Sequence, residues 1–148
     1  MSKNYAYILI NDQKWWNRRL NKNKIGKTIH AFVRRGHVGP KDARFVLFYV
    51  KHPLKELRGR GEFIERITGN IDELWNSHSH ETVFKSYKEY SKFLQGKTET
   101  TFVRLQNVQE LSAPVSMQTV SRLLGVSRMP RGGRYIDRET FEKLVGTA

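Results

Sequence analysis

The run Phe45-Val46-Leu47-Phe48-Tyr49-Val50 constrains the fold more than any other stretch of this 148-residue chain. Six apolar residues stand together without a polar break, and most are aromatic or β-branched. The run is far too short to cross a bilayer. Within Ala43 to Lys51 it reads as a central strand, stopped by His52-Pro53.

Other segments supply partners for that strand. Tyr5 to Ile10 is a second strand, ended by Asn11-Asp12. Thr28 to Val33 is a third, followed by a turn at Gly36, Gly39 and Pro40. Gly59 to Ile67 alternates in character, and Thr98 to Leu111 is a long strand. Gln13 to Asn23 is either a short helix or a long loop, with Trp15, Trp16 and Leu20 about one turn apart. Helix starts are marked by Asn70 with Glu73, by Ser86 with Glu89, by Ser116 and by Asp137. Gly96, Gly125 and Gly146 mark helix stops. Irregular connections separate the strands, which argues against a doubly wound sheet. The expected class is α+β, a small mixed β pseudo-barrel with short helices packed outside, over residues 1–148 as a single domain. No repeat or linker interrupts it.

Charge gives the first functional indication. Lys and Arg number 27 against 14 Asp and Glu, a formal net charge of +13. Nine basic residues and no acid lie between Gln13 and Lys41. Like charge concentrated in this way costs stability through self-repulsion. A polyanion offsets that cost through counterion release. A membrane surface is a poorer match, because Asn21, Asn23 and Gly26 interrupt the run and no long amphipathic helix accompanies it. The chain has no cysteine, which removes disulfides, thiolate metal sites and thiol catalysis. The start shows no signal-peptide pattern, so the cytoplasm is the expected location.

The segment from Lys41-Asp42 to Glu65 carries a resemblance. The strand Phe45 to Val50, Pro53, and then Leu57-Arg58-Gly59-Arg60-Gly61-Glu62-Phe63 resemble the central hairpin of PUA-like domains, the group that includes PUA, ASCH and EVE domains. The first strand and its Trp-bearing continuation are similar to the EVE branch. Arg128 to Thr140 resembles the tail of an archaeal family of uncharacterised PUA-like proteins. The usual Gly-Asp before the central strand is replaced by Gly39-Pro40-Lys41-Asp42-Ala43-Arg44. The resemblance implies a pseudo-barrel, RNA binding and, in the EVE branch, a pocket for a modified base.

Candidate contact residues follow. Lys14, Trp15, Trp16, Arg18 and Arg19 interleave aromatics with cations, a pattern suited to stacking on bases. Adjacent tryptophans face different ways, so one packs inward and the other stays exposed. Lys22, Lys24, Lys27, Arg34 and Arg35 are candidates for phosphates, which give position rather than sequence choice. Tyr49 and Lys51 would face the same cleft, and Arg128, Arg131 and Arg134 form a second basic cluster around Gly132-Gly133. RNA is favoured over DNA, and no cofactor is expected. His78 and His80 lack a convincing third ligand, since Glu81 alone lies near, so no metal is expected. The resemblance to ASCH-type amidohydrolases raises an alternative built on Lys27, Thr28 and Glu62 or Glu65, although those glutamates have Arg60 and Arg66 as neighbours. A reader of modified DNA bases and a structural ribonucleoprotein subunit are further alternatives.

Overall fold

A computed structural model describes residues 4–36 and 39–146. The turn expected at Gly36 to Pro40 therefore lies partly outside the described residues, as does His37. Six strands are present: β1 (Ala6–Asn11), β2 (Ile29–Arg35), β3 (Phe45–Val50), β4 (Glu56–Asn70), β5 (Glu99–Ser116) and β6 (Arg134–Ile136). The helices are α1 (Gln13–Lys24), α2 (Ile71–His78), α3 (Tyr87–Leu94), α4 (Met117–Leu124) and α5 (Arg138–Val145), with a 3-10 turn at Ser79–Glu81.

The sheet order is β2-β5-β4-β3-β1-β6. The apolar run is β3, inside the sheet, parallel to β1 and antiparallel to β4. Strand β4 is 15 residues long and β5 is 18, longer than their alternating patterns indicated. Irregularities in their pairing let them bend and stay paired over that length. The short edge strand β6 carried no strand signal of its own, and β1 supplies its ladder.

Alternation along each strand sets up two packed faces. On one, Tyr7, Leu9, Val46, Phe48 and Val50 meet Val103, Leu105 and Phe32 around the buried ring of Trp16. Strands β1 and β2 stand three strands apart in the ladder, yet both feed this cluster. The sheet therefore curls around it. On the other face, α4 and α5 cover Ala6, Ile8, Leu47, Tyr49 and Leu57. Helices α2 and α3 cover Ala31, Val33 and Phe102.

The expected barrel is curled but not closed. The ladder ends at β2 and β6, and the seam between them is bridged by side chains. Across it, Arg34 Nη2 donates to the carbonyl of Gly132 at 3.2 Å; the Tyr7 hydroxyl, on the β6 side, donates to the same carbonyl at 2.5 Å. The expected helix starts are all present: Asn70, Ser86, Ser116 and Asp137 each accept from a backbone N–H of the first turn.

Candidate nucleic-acid interface

A cleft of about 530 Å³ opens at the seam. Its walls are the end of β1, the start of α1, the edge strand β2, residues 83–84, Phe93 of α3 and Arg131. Five cations reach it, Arg19, Arg34, Arg35, Lys51 and Arg131, together with Trp15, Phe32, Phe84 and Phe93. Asp12 is the one acid among these residues, and Lys51 Nζ sits 3.0 Å from its carboxylate.

Helix α1 divides its basic and aromatic residues between two directions, because residues three to four apart share a face. Trp15, Arg18 and Lys22 turn toward residues 82–93. The Trp15 ring meets Phe84 edge-on at 5.0 Å and Phe93 at 6.0 Å. Lys14 Nζ lies 4.7 Å from its centroid and the Arg18 guanidinium 5.0 Å. Trp15 is half-buried and lines the cleft. Trp16 turns the other way, is 1% exposed and packs on Phe48. Gly59 makes room for it: a Cβ there would fall 2.1 Å from the Trp16 ring. The pair divides between two faces, but neither ring is exposed: Trp16 is in the core and Trp15 is half-buried against Phe84 and Phe93.

Several basic residues expected on phosphates are occupied within the fold. Arg18 Nη1 donates to Glu89 at 2.6 Å and to the Val83 carbonyl at 3.2 Å. Lys22 Nζ donates to the Thr82 carbonyl. Arg35 Nε donates to the Phe93 carbonyl at 2.7 Å, and the guanidinium lies 4.4 Å from the Phe93 ring. Segment 82–86 lies outside the ladders, and its carbonyls need donors that neighbouring strands do not supply.

Arg19 is the deepest cation, 1% exposed, between the rings of Phe32 and Phe48. Burial pushes its guanidinium down to about 10, which leaves it charged at neutral pH. Burial also lowers Arg34 and Lys22.

Other expected residues lie elsewhere. Tyr49 is buried in the cluster beneath α4 and α5, since its neighbours in β3, Phe48 and Val50, take the opposite face. Lys24 is exposed at the end of α1, and Lys27 is half-buried near Glu81; neither lines the cleft. Arg128 is exposed away from it, and Arg134 in β6 donates to the Tyr135 carbonyl at 3.4 Å. Lys27, Thr28, Glu62 and Glu65 are also absent from its walls. Glu65 pairs with Arg104 at 2.6 Å and Glu62 accepts from Gln106. Arg104 and Gln106 are the residues directly opposite them on β5, where cross-strand side chains lie closest.

Two residues outside the expected binding set stand out. Glu81 is 4% exposed and accepts from Arg104 Nε at 2.9 Å and Nη2 at 2.8 Å. Asn11 is 2% exposed and lines the cleft. Its signal was its place in the alternation Tyr7, Leu9, Asn11, which sends all three to one face. Among the described residues no group of His, Asp and Glu is arranged to hold a metal ion, and no helix is long and apolar enough to cross a membrane.

No family model matches the sequence, and no curated protein matches it. Solved structures do. The ASCH protein of Zymomonas mobilis superposes with a TM-score of 0.77 at 19% identity, covering 96% of this chain and 94% of that one. A serine-to-alanine variant of it gives 0.80 at 18% identity over 98% and 97%. A tyrosine-to-phenylalanine variant gives 0.77 at 18% over 95% and 96%. The curled six-stranded sheet, with paired helices on its outer face, is thus the fold of the Zymomonas mobilis ASCH protein.

Proposed function

We propose that this chain binds RNA, holding an unpaired stretch in the seam cleft with one base stacked on Trp15. The observation that carries the reading is Trp15 itself, a half-buried aromatic on the wall of a cleft that also presents Arg34, Arg35, Lys51 and Arg131. Aromatic rings beside cations suit single strands, whose bases are free to splay out and stack, and such recognition is more usual for RNA than for duplex DNA. A base arriving at Trp15 displaces the exposed Lys14 ammonium from the ring, which leaves that cation for a phosphate. The ASCH-type fold supports the reading at the level of fold class.

The test is binding of a labelled single-stranded RNA, a matched single-stranded DNA and a duplex DNA across a salt series. Trp15→Ala is expected to weaken RNA binding about 5- to 100-fold, the range for one lost base–aromatic stack, measured well below a melting temperature that falls less than that of Trp16→Ala. Trp16→Ala is the contrast: it removes a core ring and costs about 3–5 kcal/mol of stability. Equal binding of all three nucleic acids, with Trp15→Ala without effect, would reduce the charge to generic electrostatics and remove the proposal.

A further inference from the structure

The cleft contains a mismatch that phosphate contacts do not resolve. Asn11 closes β1 inside the cleft and is 2% exposed. Its Nδ2 donates to the Leu9 carbonyl at 3.3 Å. A carbonyl only accepts, so the amino side of the amide must face Leu9 and Oδ1 is turned away from it. Oδ1 has no hydrogen-bond partner. Arg19 lines the same cleft, 1% exposed, and its Nε is likewise unpartnered. Its two Nη atoms share one distant acceptor, the Ala31 carbonyl at 3.5 Å from each. No carboxylate among the described residues pairs with it.

Buried polar groups are normally matched, because leaving them unmatched forfeits their hydration with nothing in return. Here an unmet acceptor and an unmet cationic donor are buried in two side chains that line one cleft, so a ligand must enter as those side chains turn toward it. The ligand that fits must bring a donor for Asn11 Oδ1 and an acceptor for Arg19. A backbone phosphodiester offers acceptors alone, so it satisfies Arg19 and repels Oδ1. A nucleobase edge offers both, an N–H beside a lone pair, as adenine does with its amino group and the adjacent ring nitrogen.

Resting on the RNA-binding reading, we infer that Asn11 is a base-reading residue. Its Oδ1 accepts a hydrogen bond from the N–H donor of an unpaired base held in the cleft, and Arg19 donates to the neighbouring acceptor. Trp15 contributes stacking, which any base satisfies, and Asn11 contributes the requirement for a donor.

The experiment compares the parent chain on oligo-adenosine with an RNA of the same length built from unsubstituted purine ribonucleosides, at one salt concentration. The two probes match in charge and ring shape and differ in the amino donor. The parent is expected to bind the adenosine oligomer about tenfold more tightly. Asn11→Leu should bring the two affinities together by weakening only the adenosine complex. Asn11→Asp retains an acceptor and should keep the preference. Equal affinities in the parent, or a preference that survives in a folded Asn11→Leu, would overturn the inference and leave RNA binding intact. Binding to neither oligomer, nor to any other RNA, would instead overturn the underlying reading. The first comparison uses the unaltered chain, so a variant that fails to fold does not remove the test.

Discussion

His30 shows how one residue couples the basic helix to stability. It is fully buried in β2, and neither ring nitrogen has a hydrogen-bond partner of good geometry. Burial, reinforced by the nearby charges of Arg19, Lys27 and Lys22, depresses its pKa from 6.5 to about 3. The folded chain therefore keeps His30 neutral under conditions in which the unfolded chain protonates it. Above pH 6.5 both states are neutral and His30 adds no pH dependence. Below that value the unfolded state binds the extra proton, and stability falls by about 1.4 kcal/mol per pH unit until the folded pKa is reached. Between pH 6.5 and 5, above the carboxylate range, urea midpoints should drop with acidity in the parent and stay level in His30→Gln. Glu81 adds a separate loss further down. Burial raises its pKa, but the bonds from Arg104 outweigh that and hold it below its ordinary value of 4.5. The Glu81 contribution is thus present above that value and disappears as acid protonates the carboxylate.

Helix α5 illustrates what a short element can do. Eight residues are marginal as an isolated helix, so the cap and the packing must carry it. Asp137 accepts from the Thr140 N–H at 2.8 Å, and Phe141 stacks on Phe45 of β3 at 5.1 Å. Asp137→Ala should cost about 1 kcal/mol, read as a lower denaturation midpoint with RNA affinity unchanged. Such caps were legible in the sequence because capping is local: the acceptor and the N–H it serves are two or three residues apart. The apolar β3 run and the alternating strands were legible for the same reason. Strand β6 was not, since three residues carry no period and its ladder is made by β1 from the other end of the described chain. The face taken by Tyr49 was decided by the register of β3 against β1 and β4, which no local pattern specifies. Glu81 looked like a poor metal ligand until β5 placed Arg104 against it.

At the scale of the whole molecule, the net charge of +13 divides into two populations. Arg18 and Lys22 fasten α1 to carbonyls of the 82–83 segment, and Arg104 neutralises buried Glu81. Arg34, Lys51 and Arg131 stand around the cleft, and Lys14 beside Trp15 joins them when a base takes its place on the ring. The salt dependence of RNA binding should report the second population. At roughly 0.7 per phosphate for a single strand, four such contacts give a log–log slope of about −3, far shallower than the net charge suggests. Arg18→Gln should lower thermal stability and leave that slope alone, whereas Arg131→Gln should flatten the slope and leave stability alone. The seam has one more consequence, which concerns the order of synthesis. Arg34 and Gly132, joined by a hydrogen bond across it, are 98 residues apart in the chain. A ribosome releases β1, α1 and β2 before the segment bearing Arg131, so the cleft lacks a wall until that segment has emerged. On the proposed reading, a nascent chain has no complete grip on RNA before then.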